Sequence, residues 1–335
     1  MKIATLFVLI LLYSQPMFSQ ETAKTGANDS VNVVKYDVSF SMDELVYHNY
    51  RLTENTKVKR IFEDSTINEY EKNVTHWFTV FVPGPKDENG FLECELTTDS
   101  ITYDLKSNAK KVNYDSRDYD MEMPINFMDF FNSYVVNSAN FTFLYSPYGD
   151  VSKVYGDELA ENRKNFNKTL DTIKRNQIMS DVGDDNLRFL FDVPKGVYPP
   201  FEATVDTSWK SEIKYFVAHI PFSGEVTNTF KGYSNQEYHI FTVIDSLKLK
   251  HPINTYLFPD LDRYGTVEKA TMSGSVSTDM FTGGTIKYVR AKLITNVSGK
   301  LSNFKYDEII ETTYTWEQIG RGTRLNSSHR TISYA

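Results

Sequence analysis

Long stretches of this chain alternate apolar and polar residues with a period of two. In the segment VVKYDVSFS, Val34, Tyr36, Val38 and Phe40 fall on one side of an extended chain. Successive side chains of a β-strand point to opposite faces, so this pattern predicts a strand with one buried face. A second segment, THWFTVFV at 75–82, is apolar on both sides, which is typical of a central strand or of one covered by a helix. We therefore expect a chain rich in β-structure.

Composition and turn residues support the same expectation. Aromatic residues, which favour strands, make up 14% of the 335 residues. The segment PGPKDENG at 83–90 is a turn cluster, and TDMFTGGTIKY at 278–288 is typical of a hairpin that turns at Gly283 and Gly284. Further strands are expected in segments rich in aromatic and β-branched residues, namely 91–105, 137–145, 211–220, 236–249, 267–299 and 307–319.

One segment has a helical pattern instead. Residues 157–179 contain neither Gly nor Pro and place Leu159, Phe166 and Leu170 at helical spacing. Asp157 stands where a helix N-cap belongs. The Pro- and Gly-rich segment VPKGVYPP, which ends at residue 200, then connects this helix to the second series of strands.

Together these patterns predict an α+β protein, mainly β. Its long antiparallel meander sheets would form a curved sheet or a half-barrel, in two halves with one long helix between them. The expected organisation is a signal peptide at 1–19, a polar leader at 20–33, an N-terminal β half at 34–156, a helix and connector at 157–200, and a C-terminal β half at 201–335.

The N-terminal residues predict export. Lys2 precedes the short apolar run IATLFVLILLY, which is followed by the polar segment SQPMFSQE. This order is typical of a secretory signal peptide and is too short for a membrane-spanning helix, and no later segment is apolar enough to be one. Cys94 is the only cysteine, so the mature chain has no internal disulfide, which favours a Gram-negative bacterial export product. We expect the periplasm, with the medium or the cell surface as alternatives.

The charge balance argues against nucleic-acid binding. The chain has 36 Lys and Arg against 44 Asp and Glu, a formal net charge of −8. Without a basic stripe, the chain has no means of neutralising a phosphate backbone.

Motifs for catalysis or metal binding are missing from the sequence. The six histidines never stand at ligand spacing, and neither H-E-x-x-H nor C-x-x-C occurs. His239 is expected to be an ordinary strand histidine, and Cys94 a buried strand residue. The segment GYSNQ, which begins at Gly232, lacks the second glycine and the strand-to-helix setting of a nucleophile elbow. No acidic pair, including Asp184 and Asp185, stands out from 44 acids. We therefore assign no catalytic, cofactor-binding or metal-binding residues, and no cofactor.

The segment SPYGDVSKVYGDEL at 146–159 combines glycines with carboxylates and raises the question of a cation loop. Counted from Asp150, however, its acids and glycines do not match the calcium-loop pattern. A hairpin fits better, with Gly149 in the left-handed position of the turn and Gly156 leading into the helix capped by Asp157.

The order of these features resembles a family of exported Gram-negative bacterial proteins described as a domain of unknown function. The motifs that carry the resemblance are YDS at 114–116, the hairpin pattern at 146–156, the V-x-x-x-W entry at 205–209 and the glycine-rich hairpin near MSGSVSTDMFTGGTI. One departure is Asp206-Thr207-Ser208, where the family usually has a glycine before the Trp strand. The resemblance implies export and a β-rich fold, and it implies no catalysis.

Three functions remain open. The first is a non-catalytic envelope protein that binds a lipid or another apolar or amphipathic small molecule in a concave sheet. The second is a structural or interaction module that contacts another envelope protein through exposed aromatic residues such as those of YPPF at 198–201. The third, a hydrolase, needs convergent acids, or a histidine beside a nucleophile, in one cleft.

Overall fold

A computed structural model describes residues 34–118, 140–157, 160–161, 196–261 and 263–323. The chain divides into two units, Met1–Val34 and Lys35–Ala335, and the strands described below all belong to the second. Strands contain 71% of the described residues and helix 1%. Within this part of the chain, no helix is long and apolar enough to cross a membrane.

Buried and exposed residues alternate over long stretches of the chain, and these stretches form the strands. Thirteen strands follow one another along the chain: β1 (Val46–Phe62), β2 (Ile67–Phe81), β3 (Leu92–Ser107), β4 (Lys111–Asp115), β5 (Asn140–Tyr145), β6 (Val151–Tyr155), β7 (Ser208–Val217), β8 (Ile220–Ser234), β9 (Glu237–Lys248), β10 (Ile253–Phe258), β11 (Arg263–Phe281), β12 (Ile286–Leu301) and β13 (Phe304–Thr323).

All thirteen strands belong to a single antiparallel sheet. Its strand order is β6-β5-β3-β2-β1-β13-β12-β11-β9-β8-β7, with β4 paired to β3 and β10 paired to β11. The first and last strands, β1 and β13, pair along the whole of β1, from Val46 opposite Thr323 to Phe62 opposite Tyr306. This pairing places the N-terminal series of strands, β1 to β6, beside the C-terminal series, β7 to β13, in one continuous sheet.

The expected α+β class is therefore wrong, and so is the arrangement of two halves around a long helix. The β1–β13 ladder joins the two series of strands directly, and among the described residues helical geometry is confined to Asp157, Ala160 and Glu161. Ala160 N donates to Gly156 O at 3.1 Å. The rest of the predicted helix, at 158–159 and 162–179, lies outside the described residues, and so does the connector up to residue 195. The expectation of long antiparallel strands is confirmed.

One face of the sheet is buried and the other is exposed, and we call them the inner and outer faces. Along β1, Leu52 and Val58 on the inner face are each 3% exposed. Lys57 and Lys59, the neighbours of Val58, are exposed on the outer face. The segment THWFTVFV lies in β2, a central strand between β1 and β3. Its outer-face Trp77 lies 5.1 Å from the guanidinium of Arg117, so a cation covers a ring that would otherwise face water.

Both predicted hairpins are confirmed. Strands β5 and β6 flank a turn in which Ser146 N donates to Asp150 O at 2.8 Å and Gly149 has φ of 76°. A side chain at Gly149 would collide with the ring of Tyr198. Strands β11 and β12 flank the turn that contains Gly284, with φ of 82°.

The segment from Tyr36 to Phe40 contacts strands near both ends of the sheet order. Tyr36 forms a bridge with Ala203, and its ring lies 5.3 Å from that of Phe230 on β8. Four residues later, the ring of Phe40 lies 5.0 Å from that of Tyr145 on β5. Eight strand spacings separate β5 from β8, about 38 Å in a flat sheet. Four residues of extended chain reach only about 14 Å, and the two ring contacts, at 5.3 Å and 5.0 Å, do not make up the difference. The sheet is therefore strongly curved.

Candidate functional site

The inner face carries a group of buried or half-buried aromatic and polar side chains where β1, β2, β3 and β13 meet. We call this group the interior cluster, and it consists of His48, Tyr50, Phe78, Thr98, Trp316 and Gln318. The sheet register brings them together, because Tyr50 pairs with Phe78 on one side and with Gln318 on the other, and Phe78 pairs with Thr98.

Three rings form the apolar part of the interior cluster. The ring centroids of Tyr50 and Phe78 lie 5.6 Å apart, those of Tyr50 and Trp316 5.5 Å, and those of Phe78 and Trp316 5.6 Å. Both contacts of the indole are edge-to-face, at interplanar angles of 83° and 79°. This geometry is favourable for aromatic pairs, and it fixes the direction in which the indole N–H points.

One hydrogen bond links the polar members of the interior cluster. Gln318 Nε2 and His48 Nδ1 lie 2.9 Å apart. When the amide donates this bond, the imidazole proton is on Nε2. Burial lowers the pKa of His48 and the nearby positive charge of Arg321 lowers it further; these effects outweigh the raising effect of Asp43, so the ring is neutral near pH 7.

Four buried polar atoms of the interior cluster lack a hydrogen-bond partner in the described part of the chain. They are His48 Nε2, Trp316 Nε1, Gln318 Oε1 and Thr98 Oγ1. The first two are donors, the third is an acceptor, and the hydroxyl can be either. Buried polar groups in folded proteins are almost always paired. Four buried polar atoms without a partner among the described residues, next to three aromatic rings, make the interior cluster the leading candidate for a binding site.

Two further inner-face hydroxyls extend this polar character along the sheet. The Oγ1 atoms of Thr278 on β11 and Thr295 on β12 are also buried without a partner among the described residues. Thr278 pairs with Val289, which in turn pairs with Trp316. The hydroxyl of Thr278 thus lies in the same row of the inner face as the indole of Trp316.

The sequence did not predict this site. His48 and Gln318 are in phase with the apolar residues Tyr50, Leu52 and Trp316 of their own strands, and that phase is the signal that could have placed them inside. Their proximity depends on the β1–β13 ladder, which pairs Tyr50 with Gln318, 268 positions later in the sequence.

Residues that the sequence did single out lie elsewhere. Cys94 is fully buried on β3, as expected, and burial followed by the charge of Glu93 raises its pKa. His76 lies on the inner face of β2, where burial lowers its pKa to about 4. Asp184 and Asp185 lie outside the described residues.

His239 is a surface histidine with both ring nitrogens hydrogen-bonded. It lies on the outer face of β9, where its Nδ1 is 2.7 Å from Asp279 Oδ1 and its Nε2 is 2.7 Å from Ser234 Oγ. Together with Glu237, these side chains form a group with metal-ligand chemistry, since Glu237, His239 and Asp279 each offer one ligand atom within 4.8 Å of the others. Sequence spacing gave no sign of this group.

A cleft of about 470 Å³ lies on the outer face of the sheet, where β1, β2 and β13 meet the end of β3. Its walls carry both signs of charge, with Lys57 2.8 Å from Glu71 and Lys59 3.9 Å from Glu69. Exposed ion pairs of this kind are ordinary features of a solvated face. The cleft therefore has less claim to a specific function than the interior cluster.

Comparisons with known proteins show no family. No protein-family model matches the chain, and no curated protein matches it. The resemblance to an exported bacterial family therefore stays a prediction.

Some solved structures show a loose similarity to the folded chain. A structure described as lipid–protein interactions in lipovitellin has a TM-score of 0.45 and 11% identity over 84% of this chain, which spans only 26% of that one. DynF of the dynemicin biosynthesis pathway of Micromonospora chersina has a TM-score of 0.22 and 6% identity, with 86% of this chain and 85% of that chain covered. OccK1 of Pseudomonas aeruginosa has a TM-score of 0.18 and 6% identity, with 82% and 99% covered. Because all three TM-scores lie below 0.5, we base no functional conclusion on them.

Proposed function

We propose that this protein is an exported envelope protein that binds an amphipathic small molecule on the inner face of its curved sheet. The apolar part of the ligand contacts the rings of Tyr50, Phe78 and Trp316. Its polar part hydrogen-bonds to the four unpaired atoms of the interior cluster. The observation that carries the proposal is the burial of those four atoms without a partner among the described residues.

The energetics support an occupied site. A buried polar group without a hydrogen bond costs about 1–3 kcal/mol. Four such groups would cost about 4–12 kcal/mol, which is comparable to the whole stability of an ordinary domain, about 5–15 kcal/mol. A molecule that satisfies even two of them would stabilise the folded chain appreciably. Ordered water could also do so, and the experiment below separates the two occupants.

The polar atoms indicate the chemical class of the ligand. The interior cluster offers the N–H groups of His48 and Trp316, the carbonyl of Gln318 and the hydroxyl of Thr98. None of these is charged, because the lowered pKa of His48 keeps its ring neutral. An ester, amide or alcohol group attached to an apolar body matches this set, since a charged head would be buried without a counter-ion.

Export and a periplasmic location belong to the same proposal. Their support is the N-terminal segment, with Lys2 before a short apolar run and a polar segment after it. A carrier of apolar molecules is useful in an aqueous compartment between two membranes, where such molecules are poorly soluble.

A second function is supported by one exposed residue. Phe201 of the YPPF segment is 45% exposed, and its ring lies edge-on to that of Trp209 at 6.3 Å. An exposed aromatic ring beside a second ring is a suitable contact for another protein. We therefore retain the interaction module as the alternative. A Phe201→Ser variant that loses a partner from envelope extracts while still binding ligand would favour it.

The test of the binding proposal compares two tryptophans, of which only one has a hydrogen-bond partner for its indole N–H among the described residues. Trp316 Nε1 has no partner among the described residues, whereas Trp209 Nε1 donates to Gly196 O at 3.2 Å. Replacing either by Phe keeps a ring and removes the N–H. Lipids extracted from the purified protein would be identified by mass spectrometry, and binding of the uncharged probe N-phenyl-1-naphthylamine would be followed by its fluorescence.

We expect the wild type to carry a stoichiometric neutral lipid or to bind the probe saturably. Trp316→Phe should weaken binding about five- to tenfold, which corresponds to the loss of one hydrogen bond, whereas Trp209→Phe should leave it unchanged. Absence of both lipid and saturable probe binding would refute the proposal in favour of a hydrated interior. Equal effects of the two substitutions would place the ligand elsewhere.

A further inference from the structure

A hydrogen-bonded chain of serine, histidine and aspartate lies on the outer face of the sheet, away from the interior cluster. Ser234 Oγ is 2.7 Å from His239 Nε2, and His239 Nδ1 is 2.7 Å from Asp279 Oδ1. The side chains of His239 and Asp279 are 31% and 33% exposed, and Ser234 is exposed. All three can therefore be reached from solvent.

The β8–β9 hairpin brings the serine to the histidine. Its turn consists of Asn235 and Gln236, with φ of 53° and 64°, so both central residues are left-handed as in a type I′ turn. Ser234 pairs with Glu237 across this turn, and Gly232 pairs with His239. Because residues two apart on a strand share a face, the side chains of Ser234 and His239 are diagonal neighbours on the outer face.

The neighbouring strand supplies the third member. Asp279 on β11 lies directly opposite His239 on β9. When the carboxylate accepts the Nδ1 proton of the neutral ring, Nε2 has the lone pair and accepts from the hydroxyl of Ser234. A carboxylate that orients an imidazole, and an imidazole that accepts a serine proton, are the parts of an activated nucleophile.

We propose that Ser234 is a nucleophile for acyl transfer from small esters, with His239 as its general base and Asp279 as the residue that positions the imidazole. This activity goes beyond ligand binding on the inner face. It also departs from the expectation of a non-catalytic protein. The segment GYSNQ is a hairpin and not a strand-to-helix elbow, as its missing second glycine indicated, but its serine acquires a histidine across the turn.

An alternative role for Glu237, His239 and Asp279 is the binding of a metal cation. Two contacts favour the nucleophile. The ammonium of Lys287 pairs with Glu237 Oε1, so a positive charge already neutralises that carboxylate. Both ring nitrogens of His239 are engaged in short hydrogen bonds, which a metal ion would have to displace.

The chemical step is an ordinary acyl transfer. The hydroxyl oxygen of Ser234 bonds to the ester carbonyl carbon while its proton passes to Nε2 of His239. The bond from that carbon to the alcohol oxygen then breaks, and the alcohol leaves with the proton. Water repeats the sequence on the acyl-serine, which releases the carboxylic acid and restores the hydroxyl. Because the site is open, its substrates are small esters that approach from solvent.

The experiment labels the serine covalently with an alkyl fluorophosphonate. Attack by Ser234 Oγ forms an oxygen–phosphorus bond and expels fluoride, while His239 takes the proton. Peptide mass spectrometry locates the label and gives its rate. The matched control is Ser208, an exposed serine on the same face whose Oγ lies 3.0 Å from Thr229 Oγ1 and near no imidazole among its hydrogen-bond partners.

We expect the label on Ser234 and not on Ser208. His239→Gln and Asp279→Asn should each slow labelling and the hydrolysis of p-nitrophenyl acetate at least tenfold, and Ser234→Ala should abolish both. Circular dichroism and probe binding to the inner face should be unchanged in all three variants, since these side chains are exposed. Failure to label Ser234, or equal rates in wild type and His239→Gln, would overturn the proposal. The binding proposal would be unaffected by either result.

Discussion

A buried ion cluster at one end of the sheet allows a quantitative prediction. Arg60 on β1, Glu308 on β13 and Asp260 in the loop after β10 are 1%, 1% and 2% exposed. Arg60 Nε donates to Glu308 Oε2 at 2.6 Å, and its terminal nitrogens donate to Asp260 at 3.1–3.3 Å. The guanidinium also lies 4.2 Å from the ring centre of Phe258. The single positive charge of Arg60 is therefore the counter-ion of two buried carboxylates.

Removing the cation should be far more costly than neutralising one of its partners. Arg60→Met leaves two carboxylates buried without a counter-ion, and losing one member of a buried pair costs about 3–5 kcal/mol. Glu308→Gln keeps an acceptor for Arg60 Nε and removes the surplus negative charge, so we expect its unfolding free energy to stay within about 1 kcal/mol of wild type at pH 7. Lys59→Met, one residue away on the outer face, removes only an exposed pair with Glu69 and should cost about 0–1 kcal/mol.

The pH dependence has a defined sign. Burial, opposed by the charge of Arg60, raises the pKa of Glu308 in the folded protein. The folded state therefore holds this proton more tightly than the unfolded state does. Its contribution to stability is full below the ordinary carboxyl pKa and is lost as pH rises through the raised one. Glu308→Gln should accordingly gain stability relative to wild type between pH 4 and pH 7.

Urea unfolding followed by tryptophan fluorescence measures all three variants at both pH values. A cost below about 1.5 kcal/mol for Arg60→Met would show that Glu308 and Asp260 are not buried as the structure describes. A cost for Glu308→Gln equal to that of Arg60→Met would show that the cluster carries no surplus charge.

Further predictions concern backbone contacts and the thiol. Gly299→Ala should cost at least about 2 kcal/mol in urea unfolding, because its Cβ would collide with a backbone carbonyl oxygen of β11, whereas Gly283→Ala, with open space around it, should stay within about 0.5 kcal/mol. Tyr198→Phe removes a 2.8 Å hydrogen bond to Gly284 O and should lower the unfolding free energy by about 1 kcal/mol. Cys94 is fully buried with a raised pKa, so an aromatic disulfide reagent should react with it only at the rate of unfolding. Fast reaction in the absence of urea would contradict that placement.

Local features of the chain could be predicted because their causes are local. The segment that contains Tyr36 and Phe40 is predicted to be a strand, and this prediction is wrong, because it forms only an isolated bridge at Tyr36; its alternation nevertheless places both side chains against buried strands. The turns at Gly149 and Gly284 depend on left-handed backbone conformations that glycine adopts without steric cost. The strands and hairpins follow from such preferences over a few residues each.

Strand order could not be predicted, because antiparallel pairing depends on contacts between residues distant in sequence. Nothing local in β1 or β13 specifies that Tyr50 pairs with Gln318, and the helical pattern after Asp157 misled the assignment of fold class. Alternation identifies which residues share a face of a strand. It does not identify which strand lies beside it.

Both candidate sites depend on the order of the strands in the sheet, which the sequence does not determine. The period of two in β1 puts His48 in phase with Tyr50. Only the tertiary structure brought Trp316 beside Tyr50 and Asp279 opposite His239, since each pair joins strands that are not consecutive in sequence. Sequence alone thus determined the faces of the strands through local stereochemistry, and the pairing of distant strands decided where polar and aromatic side chains meet.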